Sequence, residues 1–127
     1  NIRVISIVDR YLEHARIYEF SNGGKPMVAI SSADWMSRNL DRRVELLIPV
    51  EDPNAKQRLS QILDGCMSDN VKGKELNADG SYQAPATSNS EFRSQAAFYQ
   101  ESVEQVKLAN RSRPTHFEPF RAPETSS

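Results

Sequence analysis

Short runs of hydrophobic residues, separated by turns, indicate several strands in this chain. Runs rich in β-branched residues or with alternating polarity predict four strands, near residues 2–8, 15–20, 27–31 and 43–49. The Asn22-Gly23 pair favours positive φ and predicts a tight turn between the second and third strands. Residues 71–76 and 81–83 flank an Asp79-Gly80 turn, which predicts a small hairpin.

Hydrophobic positions at helical spacing predict two helices. Asp52 is a typical N-cap and Pro53 a typical first residue, so one helix should cover 53–67. Its apolar stripe consists of Leu59, Ile62, Leu63, Cys66 and Met67. Ser90 is the expected N-cap of a second helix over 91–108. The stripe of that helix is narrow and suited to docking on another surface, and consists of Phe92, Ala96, Tyr99, Val103 and Val106.

The order of these signals predicts an α/β fold with one mixed β-sheet and the first helix packed on one face. Residues 84–90 have the composition of a linker, and 109–127 contain prolines without periodicity and predict a flexible tail. A strand-like run begins directly after Asn1. A buried strand without a preceding loop suggests that the chain belongs to a longer protein.

Composition limits the classes of function. With 38% hydrophobic and 26% charged residues the chain resembles an ordinary globular protein. No apolar run is long enough to span a bilayer and no signal peptide is visible. The single cysteine, Cys66, excludes an internal disulfide and is typical of a reducing compartment, so we expect a cytoplasmic protein. The net charge of −1, without a large basic face, argues against nucleic-acid binding.

Two polar segments could carry chemistry. Residues 31–43 (Ser-Ser-Ala-Asp-Trp-Met-Ser-Arg-Asn-Leu-Asp-Arg-Arg) combine hydroxyl groups with three arginines, whose planar forks suit phosphate oxygens. A solvated loop with local ion pairs is the plain alternative. His14 and Arg16 are two positions apart, so on a strand both would point to one face. A single histidine is more often structural than catalytic.

Together the two segments resemble the second half-motif of the phospholipase D superfamily, in which His-x-Lys and an aspartate precede Gly-Ser-Ala-Asn and an arginine. This chain has Arg16 in place of the lysine and Ser21 in place of the aspartate. With these departures, the runs from Ser6 to Arg16 and from Ser31 to Glu45 are similar to bacterial polyphosphate kinase of type 1. The resemblance covers 1–83, which it assigns to part of a C-terminal phospholipase D-like catalytic domain.

That resemblance implies a phosphotransferase that moves the terminal phosphate of ATP to polyphosphate through a phosphohistidine upstream of this chain. His14 matches the family's second active-site histidine and is the expected catalytic residue. His14, Arg16, Arg38 and Arg43 are the expected contacts to ATP and polyphosphate. The resemblance also implies Mg²⁺ with ligands mainly outside these residues, the rest of the parent chain as a partner, and a homo-oligomer. It leaves membrane association of the parent open.

Two alternatives stay open at this point. One is the half-site of a phospholipase D-type phosphodiesterase or nuclease, which Arg16 and Ser21 disfavour. The other is a non-catalytic docking fragment, which the narrow helical stripe favours.

Overall fold

The computed structural model describes residues 2–85 and 90–112. Within them the chain forms six strands and three α-helices. The strands are β1 (Ile5–Ile7), β2 (Ile17–Phe20), β3 (Met27–Ser31), β4 (Leu47–Val50), β5 (Gly73–Leu76) and β6 (Tyr82–Gln83). The helices are α1 (Ser37–Arg42), α2 (Pro53–Ser68) and α3 (Ser94–Ser112).

The strands form two antiparallel sheets, so the α/β class is confirmed but the strand arrangement differs from a single mixed sheet. Sheet A has the order β1-β5-β6 and sheet B the order β2-β3-β4. β1 pairs with β5 and not with β2, because the irregular segment 8–16 carries the chain from one sheet to the other. A strand pattern indicates that a strand forms but does not name its partner.

Sheet B is a meander in which β3 is the central strand. β2 and β3 are joined by the predicted turn, where Asn22, Gly23 and Gly24 all have positive φ. Val28 and Ala29 of β3 are 2% and 0% exposed. Helix α2 contacts strands of both sheets, so it connects them into one structure.

The first predicted helix and the hairpin are confirmed. Asp52 is the N-cap of α2, and its Oδ1 accepts a hydrogen bond of 2.7 Å from the Ala55 N–H. The hairpin β5–β6 turns at Gly80, which has a φ of 85°.

Three of the four predicted strands begin later than expected. β1 begins at Ile5, β2 at Ile17 and β4 at Leu47, where the sequence predicted starts near 2, 15 and 43. The short helix α1 was not predicted. It ends at Arg42, immediately before the expected start of β4. Val44 is fully exposed after it, so this residue does not join the sheet.

Helix α3 begins and ends later than predicted, at Ser94 and Ser112 in place of 91 and 108. Ser90 therefore does not cap it. The helix approaches α2 where Gly65 lies against the Phe98 ring, since a Cβ on Gly65 would lie 2.5 Å from that ring. Phe98 was not in the predicted stripe, whose Tyr99 is 59% exposed. Residues 86–89 of the expected linker and 113–127 of the expected tail lie outside the described residues.

Asp69 joins three elements at one buried point. It is the C-cap of α2 and is 0% exposed. Its Oδ1 accepts the backbone N–H groups of Val71, Lys72 and Gly73 at 2.7–3.0 Å, which sets the start of β5. Its Oδ2 accepts both the N–H and the hydroxyl of Ser94 at 2.8 Å, and so it caps α3 from outside that helix.

The carboxylate is ionised in this position. Burial alone would raise its pKa, but the hydrogen bonds from Lys72, Ser94 and Gly73 outweigh burial and lower the pKa from 3.8 to about 2. Among the described residues, no helix is long and apolar enough to cross a membrane.

We expect Asp69→Asn to lower the free energy of unfolding by about 2 kcal/mol at pH 7. Because the folded pKa lies below the unfolded pKa, the carboxylate contributes stability above pH 4. That contribution is lost as the pH falls from about 4 to about 2. Urea unfolding followed by circular dichroism should therefore show the difference between the two proteins shrinking with acid. Asp64→Asn, an exposed position on α2, is the control and should change little. A difference that persists at pH 2 would contradict the role of the charge.

Candidate functional site

The residues singled out in the sequence lie around one end of sheet B. β2 and β4 are both antiparallel to β3, so the starts of β2 and β4 lie at the same end as the last residue of β3. His14 and Arg16 directly precede β2, and the segment 31–43 begins where β3 ends. Arg43 lies before β4 on the same side. The topology therefore brings these segments to one edge of the sheet.

The detailed positions differ from the prediction in two ways. His14 and Arg16 lie in the irregular segment before β2 and not on a strand face, since β2 begins at Ile17. Arg43 is the C-cap of α1 and does not open β4. Because β3 separates β2 from β4, these two strands lie about 10 Å apart, which is twice the spacing of neighbours.

Arg16 links the two polar segments. Its Nε donates a hydrogen bond of 2.7 Å to Asp34 Oδ1, and its Nη1 donates one of 3.2 Å to the carbonyl of His14. The backbone N–H of Ser31 donates to the Arg16 carbonyl at 2.9 Å. The backbone beside His14 is thus tied to the end of β3 and to the loop that follows it.

The Arg16–Asp34 pair has the electrostatic signature of a charge-assisted hydrogen bond. The bond from Arg16 holds the pKa of Asp34 below its ordinary value of 3.8, and the same bond raises the pKa of Arg16. The positive charge nearest His14 along the chain is therefore already paired with a carboxylate.

His14, Arg38 and Arg43 have exposed side chains. Among the described residues, none of these side chains makes a hydrogen bond or an ion pair. An unpaired guanidinium keeps all its N–H donors for a ligand, and an unpaired imidazole can donate or accept a proton. At this edge, one imidazole and two guanidinium groups are thus available to an anion.

The serines at the end of β3 fix the loop in place. Ser31 Oγ donates to the Leu46 carbonyl at 2.9 Å and accepts from the Ala33 N–H at 3.1 Å. Ser32 Oγ contacts the Glu45 carboxylate and accepts from the Leu46 N–H at 3.0 Å. Both hydroxyl groups form hydrogen bonds with other residues of the chain, so they are not available to donate to a phosphate in this arrangement.

Asn39 is a buried polar residue behind the loop. It is 2% exposed, and its Nδ2 donates to the Asp34 carbonyl at 3.4 Å. Its Oδ1 has no hydrogen-bond partner within the described part of the chain. The contact places α1 directly against the loop that carries Asp34.

Trp35 is 80% exposed. Its ring stacks on Tyr18 with centroids 6.3 Å apart, and its Nε1 donates to the Tyr18 hydroxyl at 2.8 Å. This aromatic pair borders an open, mainly apolar concavity of about 400 Å³. The concavity is lined by Tyr18, Phe20, Ser31, Ala33, Trp35, Leu40, Glu45, Leu46 and Leu47.

The concavity is not the predicted phosphate site, because His14, Arg16, Arg38 and Arg43 do not line it. The sequence did not point to the aromatic pair, because Tyr18 and Trp35 are 17 residues apart and meet only through the β2–β3 pairing.

Metal ligands are not concentrated here. The described residues bring together no group of three or more His, Cys, Asp or Glu side chains that could hold a metal ion. Asp34, a carboxylate of the segment after β3, is paired with Arg16.

Comparison with known proteins decides the family. Residues 1–95 match the family described as polyphosphate kinase C-terminal domain 2. The chain belongs to the polyphosphate kinase family. It is 47% identical over 122 residues to the polyphosphate kinase of Rhodopirellula baltica, covering 94% of this chain and 14% of that protein. The polyphosphate kinase of Escherichia coli is 49% identical over 100 residues, covering 78% of this chain and 14% of that protein.

A solved structure supports the same family. The crystal structure of the polyphosphate kinase from Porphyromonas gingivalis superimposes with a TM-score of 0.77 at 41% identity, covering 85% of this chain and 17% of that one. The α/β fold expected from the phospholipase D resemblance is consistent with this match. The chain thus spans about one seventh of the length of the polyphosphate kinases it matches.

We expect the Asp34 carboxyl to titrate below 3.8 and to return toward 3.8 in Arg16→Gln, because the hydrogen bond from Arg16 is the main cause of the shift. NMR of the Asp34 side chain during a pH titration measures this pKa. Arg38→Gln is the matched control and should leave the pKa of Asp34 unchanged. If the pKa of Asp34 is the same in Arg16→Gln as in the wild type, the hydrogen bond between Arg16 and Asp34 does not form.

Proposed function

We propose that this chain forms one side of the phosphoryl-transfer site of a polyphosphate kinase. The parent would transfer the terminal phosphate of ATP to polyphosphate through a phosphohistidine upstream of these residues. The observation that carries the proposal is the edge of sheet B, where the exposed side chains of His14, Arg38 and Arg43 make no hydrogen bond or ion pair within the described part of the chain. Family membership supplies the reaction class.

The chemistry suits these residue types. Phosphoryl transfer requires little covalent work beyond the nucleophile, so positioning and charge stabilisation dominate. Arg43 and Arg38 would each hold phosphate oxygens in a planar fork. His14 would contact the nucleotide phosphates and exchange the proton that the leaving oxygen requires.

Arg16 would have a mixed role. Two of its N–H groups donate to Asp34 and to the His14 carbonyl, and a guanidinium has five N–H donors in all. Its remaining donors could reach a phosphate while the ion pair fixes its orientation. A lysine, as in the phospholipase D motif, could not hold Asp34 and a ligand in the same planar geometry.

The remaining parts of the proposal follow from the family and not from contacts in this chain. Mg²⁺ would arrive with the nucleotide, with protein ligands mainly outside this chain. The parent would be a cytoplasmic homo-oligomer, and the rest of its chain would cover part of the exposed apolar surface. Residues 1–83 would belong to the catalytic domain, with 84–90 as a linker before the last helix.

The phosphodiesterase alternative is weaker than the kinase. It would require a lysine and an aspartate where this chain has Arg16 and Ser21. The alternative of a non-catalytic docking fragment applies only to this chain in isolation. The proposed nucleophile lies in another part of the parent protein, so the isolated chain would not be catalytic.

In the full-length protein we expect His14→Ala to lower turnover by about 10²–10⁴ if His14 is a general acid or base. Arg43→Ala should lower turnover roughly tenfold to a hundredfold, because a charge-assisted contact to phosphate is lost. Synthesis of polyphosphate from ATP and Mg²⁺ measures both effects. Arg111→Ala, an exposed arginine near the end of α3, is the control. Full activity of His14→Ala would refute the assignment.

The isolated 127-residue chain should make no polyphosphate from ATP and Mg²⁺, because its nucleophile would be absent. Staining for polymer after incubation with the purified chain tests this. Robust synthesis would place the nucleophile within these residues and overturn that part of the proposal. Hydrolysis of a chromogenic phosphodiester would instead favour the phospholipase D alternative.

A further inference from the structure

The segment that carries His14 has no regular structure of its own. Residues 8–16 connect sheet A to sheet B and form no strand or helix. Val8 and Leu12 are 80% and 86% exposed, so apolar packing within the described residues does not hold them. A side chain that takes part in chemistry must be held close to its productive geometry. Other contacts must therefore fix this segment.

Gln95, in the first turn of α3, provides the central contacts. The Tyr11 N–H donates to Gln95 Oε1 at 2.9 Å, and Gln95 Nε2 donates to the Tyr11 carbonyl at 2.8 Å. The same Nε2 donates to Glu13 Oε1 at 2.7 Å. One side-chain amide thus pairs with Tyr11 as a neighbouring strand would. Gln95 is 7% exposed, so its loss would leave polar groups without a partner in a site that water barely reaches.

An ion pair provides a second attachment at the start of the segment. Arg93 Nε donates to Asp9 Oδ2 at 2.8 Å and Arg93 Nη2 donates to Asp9 Oδ1 at 2.5 Å. The Asp9 side chain is 2% exposed, and the hydrogen bond from Arg93 lowers its pKa. Such a two-point contact fixes orientation as well as distance.

Both attachments come from the start of α3, which is itself fixed. Ser94 lies between Arg93 and Gln95 and is held by Asp69 through two hydrogen bonds. The order of contacts is therefore from Asp69 to the start of α3, and from the start of α3 to Tyr11 and Glu13. The residue that follows Glu13 is His14.

We propose that Gln95 is a positioning residue for His14. It would not touch the substrate. It holds the backbone three residues before His14, and the side chain one residue before it, so that the imidazole lies at the edge of sheet B. The inference rests on the proposed function, in which His14 takes part in the reaction. It gives α3 a role in positioning His14.

The test uses Gln95→Met in the full-length protein, a change that keeps the length of the side chain and removes all three hydrogen bonds. We expect kcat to fall about tenfold with the KM for ATP changed less than about twofold, because misplacing His14 weakens the reaction step more than binding. Gln100→Met is the matched control on the same helix. Gln100 is exposed and donates to Glu104 at 3.0 Å, so its replacement should change neither constant.

Repeating Gln95→Met in a His14→Ala background separates positioning from loss of stability. If Gln95 acts through His14, Gln95→Met should lower kcat by less than about twofold in the His14→Ala protein. A tenfold loss in both backgrounds would overturn the inference while leaving the proposed function standing. If His14→Ala alone is fully active, the proposed function fails and the inference fails with it.

Hydrogen exchange of the peptide that covers residues 9–14 gives a readout that does not depend on activity. The Tyr11 amide should exchange at least about tenfold faster in Gln95→Met than in wild type, because its acceptor is lost. Gln100→Met should exchange as wild type does. Unchanged exchange in Gln95→Met would overturn the inference whatever the kinetics show.

Discussion

The buried carboxylate of Asp69 is the constraint on which the rest of this structure depends. An acidic residue at the C-terminal end of a helix opposes the helix dipole, so its position is unfavourable for α2 alone. The compensation comes from the N–H groups of two other elements, the start of β5 and the start of α3. A charge that is fully buried and fully hydrogen-bonded fixes geometry, because any movement would leave it without partners. The end of α2 therefore fixes where sheet A and α3 begin.

The candidate site depends on that geometry indirectly, through the start of α3. Gln95 of α3 and Arg93 just before that helix hold the segment before His14. Arg16 and Asp34 hold the residues after it, next to sheet B. His14 is thus supported from two sides by contacts that leave its own side chain exposed. This arrangement suits a residue whose partner is a ligand, since the backbone is restrained while the imidazole keeps its donors and acceptors.

The sequence predicted local structure better than contacts between distant segments. Helix α2, its Asp52 cap and the Gly80 hairpin were predictable because each depends on neighbouring residues. The two-sheet arrangement was not, because β1 finds its partner about 70 residues away, in β5. The link between Gln95 and Tyr11 was equally hidden, since neither residue type is unusual at its position. Asp69 did carry a signal, because an aspartate at a helix C-terminus is unfavourable unless something else holds it.

The contacts of Arg16 give this residue a structural role that a lysine could not fill. Arg16 stands where that motif has a lysine, and its fork holds both Asp34 and the His14 carbonyl. An ammonium group is a point charge and could not make both contacts in one fixed plane. The arginine therefore ties the histidine segment to the loop after β3, while Arg38 and Arg43 keep exposed, unpaired side chains among the described residues. The positive charge that organises the site and the positive charge available to an anion are thus carried by different residues.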